Sequence, residues 1–329
     1  MKQKKIGNET RTNRWGYFFV LPFVIVYFLF SFYPTIYTFL IAFSDLKGLR
    51  VDYNLVGLKN FAKLVKDQYF WGAVSNTFII WGMNFVPQIG LALLLSIWLS
   101  DIRLKLKGRA LFRAIIYMPN LLTAASVALL FRALFYFPGG PVNLFLQSLN
   151  IYDNVLRDGK IIQEGFNFYR NVAQTRGIVA FIQWWMWYGH TVIMLMAGIT
   201  GISASLYESA VVDGANSRQV TWFITLPMLR PMMLYILVTS MIGGMQMLEV
   251  PFLLTDMRGS PDFKIRTTSV YIYNMAFQGS NDYAYAAAIS IGVFIITIIL
   301  ALFIFFFLQD RSEFKASRVL KQVKTGIRR

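Results

Sequence analysis

Few side chains in this sequence could do chemistry, and most of them interrupt long apolar runs. There is one histidine, His190, and no cysteine. A His/Cys metal cluster is therefore excluded, as are disulfide and thiolate chemistry, and no metal site is expected. No G-x-x-x-x-G-K-[ST] phosphate loop occurs, and no carboxylate pair is arranged for glycoside hydrolysis. No catalytic residue is assigned, and no cofactor is expected in this chain. Binding chemistry remains. The stretch QWWMWYGH (Gln183–His190) sets an amide and an imidazole among three tryptophans. The stretch TSMIGGMQMLEV (Thr239–Val250) sets Ser240, Gln246 and Glu249 around Gly243 and Gly244. Aromatic faces stack on the apolar faces of sugar rings, and amides, hydroxyls and imidazole exchange hydrogen bonds with sugar hydroxyls. Each feature also has a plainer reading. Tryptophans form interfacial belts, paired glycines allow close helix packing, and His190 could serve a neighbouring helix. Glu249 is a charge within an apolar run and hence a functional candidate, or the partner of an arginine near the membrane edge.

These residues must be held by membrane-spanning helices. The chain is 56% hydrophobic and only 15% charged, with a mean hydropathy of +0.51; soluble domains carry about 25% charged residues. The fold class is all-α and polytopic. A β-barrel would alternate in short segments, whereas the apolar runs here are unbroken. Six spans are expected, near Trp15–Phe43, Trp71–Leu99, Ala110–Leu134, Gly177–Thr200, Met232–Leu254 and Ala284–Leu308. The first is too long for a signal-peptide core and lacks a small-residue cleavage site, so it reads as a retained span.

The net charge of +16 is distributed unevenly. Basic residues crowd the N-terminal tail (1–14), the loop holding Arg103, Lys105, Lys107, Arg109 and Arg113, the loop holding Arg218 and Arg230, and the C-terminal tail (309–329). Acids such as Asp45, Asp153, Glu164, Asp256 and Asp282 offset the bases in the remaining loops. The positive-inside rule then places both termini in the cytoplasm. The basic excess faces anionic headgroups, and no nucleic-acid partner is expected.

Between the fourth and fifth spans lies LYESAVVDGANSRQVTWFITLP (Leu206–Pro227), on the cytoplasmic side of this topology. It reads as a short helix through Val212, a turn at Gly214, a second helix over Arg218–Thr225 capped by Ser217, and a stop at Pro227. Ala210, Val211, Ala215, Val220, Phe223 and Ile224 need a surface to bury against. That surface is either the membrane interface or a cytoplasmic partner.

The spacing of Glu208, Ala210 and Gly214, followed by Ile224, Leu226 and Pro227, resembles the EAA motif of binding-protein-dependent ABC importer permeases. The residues Asp213, Gly214 and Ala215 match the form common in the carbohydrate branch; Ser209 departs from the usual alanine but stays small. Resemblance extends to GLKNFAKLVKDQYFWGAVSNT (Gly57–Thr77), LFRAIIYMPNLLTAASVALLFRALF (Leu111–Phe135), TTSVYIYNMAF (Thr267–Phe277) and DYAYAAAIS (Asp282–Ser290), and is weakest over the external segment 142–176. That segment would contact an external binding protein or be a variable loop.

The resemblance implies a type I ABC importer permease fold over 15–308, with 206–227 as the coupling helix. It implies a second homologous permease, two ATPase subunits carrying ATP and Mg, an extracytoplasmic solute-binding protein, and a bacterial or archaeal cytoplasmic membrane. Aligned on the motif and on Leu253–Thr255, the maltose relative's sugar contacts fall on Met186, Trp187, His190, Ser240, Gly244 and Met247. Most residue types at those positions differ from the relative's. An ion-coupled secondary transporter is the alternative; it would need several buried carboxylates and an inverted repeat, and only Glu249 qualifies. A membrane-embedded enzyme would need clustered acids or histidines, and none stand out.

Overall fold

The computed structural model describes residues 14–48, 52–100, 107–157, 160–279 and 281–308. The basic tails at 1–13 and 309–329, together with Arg103 and Lys105, lie outside these residues. In chain order, α1 (Arg14–Tyr27) passes through a π turn (Phe28–Phe32) into α2 (Tyr33–Ala42). Next come α3 (Lys59–Lys66) and the long α4 (Gln68–Ser100). A 3-10 turn (Met118–Leu121) separates α5 (Arg109–Tyr117) from α6 (Ala124–Leu134). Then follow α7 (Pro141–Ser148) and an antiparallel hairpin of β1 (Asp153–Arg157) and β2 (Lys160–Glu164), with Val155 opposite Ile162. Next are α8 (Val172–Thr200), α9 (Ala204–Val212) and α10 (Ser217–Val220), a π turn (Thr221–Thr225), and α11 (Leu226–Met228). The chain continues through α12 (Arg230–Met245), α13 (Glu249–Leu254), α14 (Thr268–Phe277) and α15 (Tyr283–Leu308).

Among the described residues, five stretches are long and apolar enough to cross a membrane: Gly16–Ala42, Gln68–Ser100, Val172–Thr200, Arg230–Leu254 and Tyr283–Phe307. The third expected span differs from a single straight helix. It is a pair, Arg109–Leu121 and Ala124–Leu134, bent by 86°. Pro119 gives no backbone N–H to a helical ladder. Leu122 is extended, and Thr123 starts a fresh helix, its side chain accepting from the Ser126 N–H.

The chain forms two compact units. The first comprises the described residues within 14–65 and 275–291. Its core is Ala42, Ala287, Ala288 and Ile291, flanked by Ile41, Phe43 and Phe61. Asn60 donates to the carbonyls of Ala42 (2.9 Å) and Ser44 (2.8 Å). Lys47 pairs with Asp282 at 2.8 Å, and the Lys63 ammonium sits 3.6 Å from the Tyr285 ring centre.

The second unit comprises the described residues within 66–274 and 292–308. Here α4 and α8 pack along their lengths. One core gathers Ile80, Val127, Ile182, Met186, Val250 and Ile265; another gathers Ala92, Val192, Leu195, Leu229 and Ile236. The approach of α8 to α5 is set by a glycine: a Cβ at Gly189 would lie 2.0 Å from the Ile116 carbonyl oxygen. The segment 142–176 is built around Asn143, which is fully buried. It donates to the carbonyls of Tyr136 and Phe166 (3.1 Å each) and accepts from the Phe166 N–H at 2.7 Å. After α13, the Asp256 carboxylate accepts from the N–H groups of Arg258 (3.2 Å) and Ser260 (3.3 Å) and from the Ser260 hydroxyl (2.7 Å). Partial burial pushes this carboxyl up, but the hydrogen bonds from Ser260 and Arg258 outweigh burial and leave it below its ordinary value.

Two predictions follow from this packing. Gly189→Val should lower thermal stability by about 1–3 kcal/mol through overpacking against Ile116. Gly177→Ala, where a Cβ meets nothing within 4 Å, should be neutral or stabilising by up to about 1 kcal/mol; melting of the two variants in one detergent tests the contrast. Because the folded-state pKa of Asp256 is depressed, its contribution to the loop is present at neutral pH and lost as pH falls through that depressed value. The protection of the Ser260 amide, its exchange rate relative to the intrinsic rate at each pH, should therefore fall as pH drops through the depressed carboxyl pKa, and Asp256→Asn should remove that dependence.

Candidate functional site: a polar cleft lined by α4, α8 and α12

The second unit holds a cleft of about 150 Å³, partly open to solvent. Each wall is a helix face. From α4 come Trp81, Asn84 and Gln88, at i, i+3 and i+7; from α8 come Gln183, Trp187, His190 and Thr191, at i, i+4, i+7 and i+8. From α12 come Tyr235, Ile236, Thr239, Ser240, Gly243 and Gly244, with Met247 just beyond its end. The lining is thus an apolar frame carrying amides, hydroxyls, one imidazole and two indoles.

The polar groups are ordered by one another. Gln88 and Thr191 are both buried, and the Gln88 amide donates to the Thr191 hydroxyl at 2.7 Å. The Trp81 indole N–H donates to Ser240 Oγ at 3.1 Å, joining α4 to α12. The Trp81 ring stacks on Phe85 (5.1 Å between centres, 18° between planes). Its edge lies against Gly244, where a Cβ would stand 2.5 Å from Trp81 Cδ1. Asn84 is buried and donates to the Ile80 carbonyl at 3.1 Å. Trp187 is 47% exposed and meets His190 edge-on, 6.0 Å between ring centres. Gln183 and His190 have no hydrogen-bond partner among the described residues, so their donors and acceptors are available to a ligand.

The residues expected from sequence separate here. Trp187, His190, Ser240, Gly244 and Met247 line the cleft. Met186 does not; it is 4% exposed within the hydrophobic core. Gln246 follows the last turn of α12 and is exposed, and Glu249 is exposed in the first turn of α13, where a carboxylate suits the helix dipole. Neither Gln246 nor Glu249 lines the cleft. Gly244 serves close packing against Trp81, whereas a side chain at Gly243 would meet nothing within 4 Å. Sequence reasoning missed the α4 wall. Its signal was present in Trp81, Asn84 and Gln88, polar-capable side chains at helical spacing inside an apolar run.

The loop between the fourth and fifth spans is a second ordered surface. α9 ends at Val212 with Asp213 as its C-cap, and Gly214 adopts φ +78°. The Ala215 N–H returns to the Ala210 carbonyl at 2.9 Å. Asn216, rather than Ser217, caps α10. Its side chain accepts from the Gln219 N–H (2.9 Å), and the Gln219 side chain accepts from the Asn216 N–H (2.8 Å). Pro227 does not stop the helix. The wide π turn just before it accommodates a residue with no N–H, and the helical path continues with one turn residue, Leu229, into α12. The Tyr207 and Thr225 hydroxyls, 3.2 Å apart, bind α9 to the second arm. Ala210 and Val220 are buried, Ala215, Ile224 and Leu226 half-buried, and Glu208, Asp213 and Pro227 exposed. Val212, Trp222 and Phe223 stand out at 86%, 63% and 78% exposure.

The profile of binding-protein-dependent transport system inner membrane components matches residues 88–315. The chain belongs to that family. This permease is 28% identical over 270 residues to the lactose transport system permease protein of Rhizobium radiobacter, covering 82% of this chain and 86% of that one. It is 28% identical over 241 residues to an arabinooligosaccharides transport system permease of Bacillus subtilis, covering 72% and 71%. Its fold matches a chain of a bacterial ABC transporter that imports the acidic polysaccharide alginate, with a TM-score of 0.72, 25% identity and coverage of 90% and 96%. It also matches a chain of the alginate transporter bound to a periplasmic protein holding an alginate pentasaccharide, with a TM-score of 0.70. The fold is that of an ABC importer permease, and the chain is a multi-pass transport subunit.

A bulky residue at 244 should displace Trp81 from the cleft wall. Gly244→Val is expected to shift the tryptophan emission of the purified permease and to lower its melting temperature. Gly243→Ala should do neither.

Proposed function

We propose that this permease forms half of the translocation path for a sugar or oligosaccharide, with the cleft as its substrate-facing surface and the loop at 206–227 as its contact with an ATPase. The observation that carries the reading is the lining of the cleft. Indole and phenol rings, amides and hydroxyls converge from three helices, the combination that holds a polyhydroxylated ring. Trp187, His190, Ser240, Gly244 and Met247 are the assigned path residues from sequence, with Trp81, Asn84, Gln88 and Gln183 added.

The rest of the machine is supplied by partners. A second homologous permease completes the path, an extracytoplasmic solute-binding protein delivers the sugar, and two ATPase subunits carry ATP and Mg. Both termini and 206–227 face the cytoplasm, and 15–308 acts as the permease domain between two basic tails. At the coupling surface Ala210, Ala215, Ile224 and Leu226 support the fold of the loop. Gly214 gives the turn, Pro227 seats the second arm, and Glu208 and Asp213 are polar contacts. Val212, Trp222 and Phe223 provide apolar area for a groove in the ATPase. Closure of the ATPases on ATP would displace this loop and switch the path from inward-facing to outward-facing.

Co-purification tests the coupling assignment. The tagged wild-type chain, expressed with its partner subunits, should retain an ATPase. Phe223→Asp, at an exposed site with little cost to folding, should lose it. Gly214→Val, a β-branched residue forced to positive φ, should lose it or uncouple hydrolysis from transport. Full ATPase retention and normal transport in both variants would reduce 206–227 to a surface linker.

A further inference from the structure

The relatives divide between a neutral disaccharide and an acidic polysaccharide, so resemblance leaves the charge of the substrate open. The cleft does not. Among its lining residues there is no aspartate, glutamate, lysine or arginine. Three arginines elsewhere in the same unit, Arg132, Arg176 and Arg266, are engaged with other groups. Arg176 donates to Asn76 Oδ1 (2.6 Å) and to the Lys264 carbonyl (3.1 Å). Arg132 donates to the Leu253 carbonyl (3.2 Å). The Arg266 guanidinium lies 4.6–5.2 Å from the ring centres of Tyr69, Phe263 and Tyr271. A carboxylate entering the cleft would shed water and meet no fixed cation. Desolvation of an unpaired ion is strongly unfavourable, whereas hydroxyls exchange water for amides and hydroxyls at little net cost. Gln183 and His190, with no hydrogen-bond partner among the described residues, offer both donors and acceptors. Sugar hydroxyls need both, whereas a carboxylate accepts only.

We propose that this cleft selects uncharged saccharides and excludes uronates and sugar phosphates, so that the permease itself, and not only the binding protein, rejects acidic substrates. The inference rests on reading the cleft as part of a saccharide path. Trp187 acts as a stacking face, and Gln183 and His190 as the hydroxyl readers. A uronate is disfavoured by the absence of a counter-charge rather than by size.

The test separates charge from shape. The assembled importer is placed in lipid nanodiscs without its binding protein, because sugar-headed detergents would compete. Binding is measured by calorimetry for a panel of oligosaccharides, each as the uronate and as its carboxyl-reduced counterpart. At least one reduced member should bind at least tenfold more tightly than its uronate, about 1.4 kcal/mol. Trp187→Ala, at a half-exposed site, should weaken it fivefold or more. Gln183→Arg should narrow or invert the preference by placing a cation in the wall. Equal or tighter uronate binding that is still lost in Trp187→Ala would overturn the charge selection while leaving the cleft as the sugar site. No binding by any member, or binding indifferent to Trp187→Ala, would overturn the cleft reading and the selection together.

Discussion

The hydrogen bond from Gln88 to Thr191 joins the two longest helices of the second unit at a point where neither has water to fall back on. A polar side chain on a spanning helix must find a partner, and in an apolar setting the partner must come from the protein. Gln88 and Thr191 satisfy each other. Trp81 and Ser240 do the same between α4 and α12. These two bonds fix the rotation of α4, and with it the direction of Asn84 between them. A helix rotated by one residue would present Gly82, Phe85 and Ile89, or Ile80, Met83 and Pro87, to the cleft in place of Trp81, Asn84 and Gln88. The cleft is therefore polar because its walls are held together by polar pairs, and its remaining donors and acceptors are those the walls do not consume.

Glycine sets how close the walls come. At Gly189 the backbone of α8 meets the Ile116 carbonyl, and at Gly244 α12 meets Trp81; each contact leaves no space for a methyl group. At Gly243, one residue away, the space is open. A pair of adjacent glycines thus splits its roles by the 100° step of the helix: one permits packing and the next keeps the mouth of the cleft clear. Dispersion and close contact carry much of helix association in lipid, so these positions matter more here than they would on a soluble helix.

Spans were legible because the apolar runs are long and the breaks between them polar. The bend in the third was not, although Pro119 marks it: a proline alone does not say whether a helix kinks or stops. The same ambiguity explains Pro227, read as a stop and found inside a continuing path. In both places where a π turn occurs, over Phe28–Phe32 and Thr221–Thr225, a proline follows two residues after it. A wide turn leaves room for the ring and does not require its missing N–H. Asn216 outranked Ser217 as the cap because Gln219 stands three residues on and completes the reciprocal pair. For the cleft, α8 and α12 were found from their unusual composition. The polar positions of α4 are spread one per turn and escape the eye until a neighbouring helix gives them a common face. Gln246 and Glu249 lie outside the cleft lining, because α12 ends at Met245 and both side chains are exposed beyond it.

The exposed loop and the cleft wall share one helical route. From Ser217 through α10, the π turn, α11 and α12 to Met245 the backbone stays helical but for Leu229, and at about 1.5 Å per residue the step from Phe223 to Ser240 is about 25 Å. Leu229 is 1% exposed and belongs to the same core as Ala92 and Leu195. A Cβ on Gly198 of α8 would come within 2.8 Å of the Leu229 side chain. The one non-helical residue on the route is thus buried in the core and in close contact with α8. A force applied at Trp222 or Phe223 meets stiff helix on both sides of a pinned joint, and packed interiors respond to displacement by switching arrangement rather than by yielding smoothly. Ser240 lies on the far side of that joint and carries the bond to Trp81, so a tilt of α12 about Leu229 acts on the same hydrogen bond that orients the aromatic wall of the cleft.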